Sequence, residues 1–265
     1  MALCKNCEVS LTDGVRYCPS CGQSVHVHRL NTRFLFHEGV HYLTHADEGI
    51  FHLIRDLAVK RGVVAREYIA GKRRKYFSPL TFFMLVAAIL VFGSMLGEAK
   101  QSTGFSKHPN VVKITDPAER ANMQGFLERS EKSHHFTNKY ANLMAMASLP
   151  LTALVFWLFF RRRKYNYVEH LVAGMYMLGF CLLIYAVIIL PLFYLMGWPR
   201  YYASMVFMAF HLIYFAVFYN GFLENRTLRD KAASLAASFT MIVAWAVITL
   251  SVIRLYITTG FWGLL

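Results

Sequence analysis

YANLMAMASLPLTALVFWLFF (residues 140–160) is the stretch that decides the fold class of this chain. It has no charged side chain, and RRRK (residues 161–164) follows it at once. About 20 consecutive apolar residues are enough for a helix to cross a bilayer. The sequence therefore predicts a membrane-spanning helix that ends at a basic cluster.

Four further apolar stretches of similar length predict a bundle around this helix. Hydrophobic residues make up 56% of the 265 residues and charged residues 16%, which is more apolar than an ordinary soluble domain. The fold class that follows is an all-α integral membrane helix bundle with about five transmembrane helices. The predicted spans are 78–96, 140–160, 170–196, 202–223 and 232–257.

Two cysteine pairs near the N-terminus predict a metal site outside the bundle. They read CKNC (residues 4–7) and CPSCG (residues 18–22). The strand-like runs 9–11 and 15–17, with turn residues between them, predict a β-hairpin that brings the pairs together. Four thiolates make a closed tetrahedral zinc site. We expect one structural Zn²⁺ held by Cys4, Cys7, Cys18 and Cys21.

Redox chemistry is the competing interpretation of a CxxC pair. Thioredoxin-like activity requires a βαβ setting, and the sequence around these cysteines does not predict one. The region from Leu3 to Val25 instead resembles the short zinc ribbons that precede many bacterial membrane proteins. Its second cysteine pair fits that pattern, whereas the first has Glu8 where a glycine is usual.

The chain divides into three predicted regions. These are a zinc ribbon (1–25), amphipathic and basic interfacial helices on the cytosolic side (26–77), and the transmembrane bundle (78–265) with an extracytoplasmic loop at 97–139. Tyr68, Tyr76 and Phe77 are expected at the lipid interface. One polar helix face carries histidines that either bind a second metal, form a solvated surface or respond to pH, namely His37, His41, His45 and His52.

The basic residues predict both a lipid partner and an orientation. The formal charge is +13, and the basic clusters adjoin apolar segments, as expected for contact with anionic headgroups. No base-reading motif accompanies them, so nucleic acid is not the predicted partner. With five spans the clusters fall on one side, which predicts a cytosolic N-terminus and an extracytoplasmic C-terminus. The predicted headgroup contacts are Lys72, Arg73, Arg74, Lys75, Arg161, Arg162, Arg163 and Lys164.

Three polar residues in or beside the spans are functional candidates. Glu169 and His170 open the third span, where they could contact a lipid headgroup or simply favour the start of the helix. His211 lies near the middle of the fourth span, where an ionisable side chain is costly and therefore a candidate for function. Its alternative role is a neutral histidine hydrogen-bonded to a neighbouring helix.

Two further stretches carry a family resemblance. REYIAGKRRKYFSP (residues 66–79) and YVEHL (residues 167–171) resemble an uncharacterised family of bacterial multi-pass membrane proteins with an N-terminal zinc ribbon. The resemblance covers residues 4–24 and 45–172. It implies a location in the bacterial envelope and brings no known activity. Together with the five predicted spans it gives the expected location, the bacterial inner (cytoplasmic) membrane. The predicted topology alone also resembles that of Yip-type membrane proteins.

These observations favour a binding or scaffold protein that uses a cytosolic zinc ribbon to contact a cytosolic partner. Two alternatives stay open. The first is a transporter or channel for a small solute or ion with His211 at mid-bilayer. The second is a lipid-modifying enzyme that uses Glu169 and His170.

Overall fold

The structure, a computed structural model, describes residues 2–12, 14–25, 29, 49–98, 116–198 and 200–260. The predicted histidine face at positions 37, 41 and 45 lies outside these residues. The described helices and strands are β1 (Ala2–Leu3), β2 (Ser10–Leu11), α1 (Gly49–Val59), α2 (Val63–Ile69), α3 (Pro79–Glu98), α4 (Pro117–Lys139), α5 (Ala141–Phe160), α6 (Tyr167–Ile184), α7 (Leu190–Leu195), α8 (Arg200–Leu223) and α9 (Leu228–Thr259).

The N-terminal region, residues 2–25, folds as two small hairpins, one around each cysteine pair. β1 and β2 pair antiparallel, with Leu3 opposite Ser10, and Tyr17 forms an isolated bridge with Ser24. The predicted pairing of 9–11 with 15–17 is therefore wrong. Each CxxC turn reverses the chain by itself, so each strand pairs across its own cysteines. We call residues 2–25 the ribbon.

Within the described residues, four helices are long and apolar enough to cross a membrane. They are Leu143–Phe160, Tyr167–Leu195, Tyr202–Leu223 and Leu228–Thr259. The described apolar part of α3, Pro79–Val91, is shorter than these four. The span Tyr167–Leu195 contains α6, a π-helical turn and α7. The π turn, Tyr185–Ile189, ends two residues before Pro191, whose ring would clash with a regular helical backbone.

Contacts between helix ends define two ends of the bundle. Arg163, after α5, pairs with Asp230, at the start of α9, at 2.8 Å. We call this end, with the loops 161–166 and 224–227, the basic end. At the opposite end Arg129 of α4 donates a hydrogen bond to the carbonyl of Ile257 near the end of α9, at 2.6 Å. The predicted loop 97–139 is thus largely helical in its described part.

The segment 49–77, which we call the linking segment, packs against the basic end through its backbone. The hydroxyl of Tyr214 on α8 donates to the carbonyl of Leu57 at 3.0 Å. The hydroxyl of Tyr176 on α6 donates to the carbonyl of Phe77 at 2.6 Å. Both hydrogen bonds are buried, and leaving either carbonyl unsatisfied would be costly. The linking segment is therefore fixed to two helices of the bundle.

Three aromatic residues of this segment occupy the protein core. Tyr68, Tyr76 and Phe77 are 1%, 3% and 6% exposed. Their predicted position at the lipid interface is wrong. The sequence shows an aromatic and basic stretch beside a span, but the linking segment folds back into the protein. The ring of Tyr68 meets Tyr176 of α6 edge-on, and the ring of Tyr76 stacks on His52 of α1.

Gly62, between α1 and α2, lies directly against the backbone of α8. A Cβ atom at this position would overlap the carbonyl oxygen of Phe218 and lie 2.5 Å from the amide nitrogen of Phe222. Gly221 faces it on α8, with its own added Cβ 3.5 Å from the nitrogen of Gly62. Only a residue without a side chain allows this backbone contact.

Replacing Gly62 by alanine should therefore push the linking segment away from α8. We expect Gly62→Ala to lower the free energy of unfolding by about 1–3 kcal/mol, as overpacked sites do. The measurement is denaturant unfolding of the full chain in detergent micelles. Gly49→Ala is the matched control, because no atom of the described residues lies within 4 Å of a Cβ there. Equal stability of the two variants would contradict the packing described here.

Candidate functional site

The two cysteine pairs form equivalent turns. The amide of Cys4 donates to the carbonyl of Val9, and the amide of Cys18 donates to the carbonyl of Gln23, at 2.9 and 2.8 Å. Each turn has a second backbone hydrogen bond of 2.9 Å, which the amide four residues after the first cysteine donates to the carbonyl of that cysteine. These bonds join Glu8 to Cys4 and Gly22 to Cys18. The repeated hydrogen-bond pattern aims both sulfurs of each pair at the other pair.

The four sulfurs lie close enough to hold one metal ion. All four are within 4.8 Å of one another. The sulfur atoms of Cys4 and Cys21 are 3.6 Å apart, and so are those of Cys7 and Cys18. Metal–sulfur bonds of ~2.3 Å in a tetrahedron place sulfurs about 3.8 Å apart. The observed spacing therefore fits a four-thiolate site on the predicted cysteines.

Glu8 occupies the position that a glycine fills in the second turn. Its φ is +62°, against +69° for Gly22. A left-handed conformation costs an L-residue roughly 1–2 kcal/mol because Cβ approaches the following carbonyl. The departure from the ribbon pattern seen in the sequence thus leaves the turn intact and adds local strain.

The second cysteine turn contacts the linking segment through Arg74. The amide nitrogen of Arg74 donates to Oε1 of Gln23 at 3.1 Å, and its Nε lies 3.5 Å from the carbonyl oxygen of Cys21. A Cβ on Gly22 would be 3.1 Å from the guanidinium of Arg74. The ribbon is therefore seated against residue 74 at the turn that carries Cys18 and Cys21.

A second contact joins Arg29, which follows the ribbon, to the start of α6. The guanidinium of Arg29 binds both carboxylate oxygens of Glu169, at 2.9 and 3.0 Å, and donates to the carbonyl of Lys164 at 2.9 Å. Glu169 also accepts from the amide of Asn166, whose side chain accepts from the amide of Glu169. This reciprocal pair is a capping box, which stabilises the start of a helix.

Glu169 and His170 have separate surroundings. Glu169 lines an open cleft of about 280 Å³, whereas His170 is not in its lining and is 0% exposed. The ring of His170 stacks on Tyr219, with Nδ1 3.1 Å from the tyrosine oxygen, and meets Tyr165 and Phe222 edge-on. Of the two predicted residues, only Glu169 borders an open cleft, and it is itself just 4% exposed.

His211 lies in an aromatic environment within α8. Its ring is 5.1 Å from that of Phe207 and 4.0 Å from that of Phe215. Its Nε2 is buried, with no hydrogen-bond partner among the described residues. The alternative role given above, a hydrogen bond to a neighbouring helix, is therefore not seen at Nε2.

A buried polar cluster holds the linking segment together. The hydroxyl of Tyr76 lies 2.6 Å from Glu67 and 3.2 Å from Asp56, so it joins the loop to α2 and α1. Lys72 and Lys75 pair with Glu67 at 3.1 and 2.6 Å. Asp56 in turn pairs with Lys60 and, at 3.5 Å, with His52.

The charges in this cluster set the ionisation of its carboxyl groups. Burial alone would raise the pKa of Glu67, but hydrogen bonds from Lys75, Tyr76 and Lys72 outweigh it and lower the pKa to about 2. At Asp56 burial also acts to raise the pKa, but the hydrogen bond from Lys60 outweighs it, so the pKa of this carboxyl is lowered. Burial and the neighbouring Glu67 carboxylate raise the pKa of Tyr76. Both carboxylates therefore stay charged and the phenol neutral at physiological pH.

The two basic clusters are used differently within the protein. Lys72 and Lys75 pair with Glu67, Arg73 is 8% exposed, and Arg74 contacts the ribbon. The four side chains of 161–164 are exposed, and of these Arg163 pairs with Asp230. Contact of either cluster with lipid headgroups remains a prediction.

The sequence alone does not reveal the partners of these residues. Gln23 and Arg74 are 51 positions apart, and Arg29 and Glu169 are 140 apart. Neither pair follows a helical or strand periodicity. Only the paired cysteines and the Asn166–Glu169 spacing, which matches a capping box, carry a signal that can be read locally.

Residues 47–91 match a family described as "Protein of unknown function (DUF3667)". The match covers α1, α2, the loop with the buried polar cluster and the described apolar part of α3. It agrees with the predicted resemblance to an uncharacterised membrane protein family over this part of the chain. No curated protein and no solved structure matches the chain.

Relief of the strain at residue 8 should strengthen metal binding. We expect Glu8→Gly to raise the Zn²⁺ affinity about two- to fivefold. Glycine relieves the free-energy cost of the left-handed conformation, and this gain exceeds the cost of glycine's larger conformational entropy in the unfolded chain. Zn²⁺ competition with a chromophoric chelator measures it. Glu8→Ala keeps Cβ and should show no gain. If both variants gave the same affinity, the strain at Glu8 would not limit binding.

The polar cluster should give the chain an acid-dependent stability. Because the pKa of Glu67 is lowered from 4.5 to about 2, its stabilising contribution is complete above pH 4.5 and is lost as the pH falls towards 2. Glu67→Gln should be less stable at neutral pH, and its difference from wild type should shrink over that interval. Unfolding measured against pH tests this, with the exposed Glu128→Gln as control. A difference that does not change with pH would contradict the assignment.

Proposed function

We propose that the protein is a multi-pass membrane binding protein, a scaffold that presents a cytosolic zinc ribbon to a protein partner. The observation that carries the proposal is the seating of the ribbon on Arg74 next to its metal-ligating sulfurs. A ribbon held in this way offers its outer surface in a fixed orientation relative to the membrane. That is what a scaffold requires.

Zinc is the metal that the ligand set favours. Four thiolates in a tetrahedron suit Zn²⁺, and a closed site has no open position for a substrate. In this proposal the ion is structural, and it supplies the folding energy that a ribbon of this size cannot obtain from a hydrophobic core.

The proposed topology has five spans, with α3 as the first. α3 is 20 residues long, which matches the length needed to cross a bilayer. The basic loops 161–166 and 224–227 lie at the same end, as five spans require, and their Lys/Arg content favours the cytosolic side. The C-terminus and α4 are then extracytoplasmic. The membrane that we propose is the bacterial inner membrane, in keeping with the envelope location that the sequence resemblance implies.

The alternatives receive less support from the geometry. An enzyme that uses Glu169 and His170 needs both groups at its substrate, but His170 is fully buried and the Glu169 oxygens hold Arg29 and Asn166. A transport path through His211 would have to pass the rings of Phe207 and Phe215.

Cross-linking in native membranes tests the scaffold proposal. Cys4→Ser/Cys18→Ser removes two metal ligands and should abolish capture of the cytosolic partner, while the chain still inserts into the membrane. The matched control is Cys181→Ser, which alters a buried thiol of the bundle and should leave capture unchanged. Identical cross-linked products from the double variant and wild type would contradict the proposal.

A further inference from the structure

The cleft beside Glu169 has walls from three parts of the chain. The ribbon provides Lys5, and Arg29 follows the ribbon in sequence. The end of α2 provides Ile69 and Ala70. The start of α6 and the loop before it provide Lys164, Tyr165 and Glu169. The cleft therefore exists only while the ribbon sits on the basic end. It lies at the level where α5 ends and α6 begins, which in the proposed topology is the boundary between membrane and cytosol.

The charges around this cleft favour an anion. Three cations and one carboxylate line it, giving 3 − 1 = +2. The carboxylate of Glu169 is occupied, because it accepts two hydrogen bonds from Arg29 and one from the amide of Asn166. It acts here to orient the guanidinium rather than to repel a ligand.

The cations have donors available for a ligand. Three of the five N–H groups of Arg29 are used by Glu169 and the Lys164 carbonyl, and the two on Nη1 have no partner among the described residues. The Lys164 ammonium is held 5.1 Å above the ring of Tyr165. Lys5 is exposed and has no ion pair among residues that the structure describes.

We propose that this cleft binds a phosphate ester, with Lys5, Arg29 and Lys164 contacting its phosphate oxygens. A guanidinium and two ammonium groups match the several acceptor oxygens of a phosphate. Ile69, Ala70 and Tyr165 offer an apolar surface for the part of the ligand next to the phosphate. The same chemistry is found in an anionic phospholipid headgroup and in a soluble phosphate ester.

Binding to the full chain in detergent tests the site. The probes are dihexanoylphosphatidylglycerol and glycerol 1-phosphate, with dihexanoylphosphatidylcholine as the zwitterionic control, and calorimetry gives the affinities. We expect saturable binding that weakens about tenfold for each lysine removed in Lys5→Gln and Lys5→Gln/Lys164→Gln. Binding of the short-chain lipid alone identifies a lipid headgroup, and equal binding of glycerol 1-phosphate identifies a soluble ester.

A matched double variant separates a built site from general charge. Arg226→Gln/Lys231→Gln removes the same charge from exposed positions at the same end, and its affinities should change about twofold or less. Metal content and unfolding temperature establish that each variant is folded. No saturable binding to wild type, or equal losses in both double variants, would overturn the proposal. Partner cross-linking is unaffected by either outcome, so the scaffold proposal is tested separately.

Discussion

The backbone contact at Gly62 is the constraint on which the arrangement outside the membrane bundle depends. It allows the turn between α1 and α2 to lie directly on the backbone of α8 near Phe218 and Phe222. Arg66 adds a hydrogen bond to the carbonyl of Gly221 at 3.2 Å and an ion pair with Glu224 at 2.7 Å. With the turn fixed there, the following loop is carried to the position where Arg74 meets the ribbon.

The charges of the linking segment serve mainly to hold that loop in shape. Glu67 and Asp56 are brought to one tyrosine hydroxyl, and lysines from the same segment neutralise both. Buried carboxylates are tolerated only when such partners are present. A strongly basic stretch beside a span is commonly interpreted as a lipid contact, but here much of its charge has a partner inside the protein.

Local patterns predicted the long apolar helices and the cluster of four cysteines, because both depend on residues that are close in sequence. Hydropathy placed four spans to within a few residues, and CxxC spacing placed four sulfurs around one point. The predicted pairing of strands 9–11 and 15–17 was wrong, because the CxxC turns themselves reverse the chain. The prediction that Tyr68 and Tyr76 lie at the lipid interface was wrong for a different reason. Tyr68 is buried against α6 and Tyr76 against α1 and α2, and no periodicity in the sequence indicates either contact.

We propose that a metal ion on the four cysteines holds the ribbon in the fold that is seated on the linking segment, so that loss of the metal alters the contact at residue 74. Amide hydrogen exchange of the full chain in nanodiscs, with and without metal chelation, tests this most directly at the amide of Arg74, which donates to Gln23. The account predicts slow exchange with metal bound and at least about tenfold faster exchange after chelation, as the ribbon unfolds and releases that bond. Exchange at Arg74 that is the same before and after metal removal would contradict it.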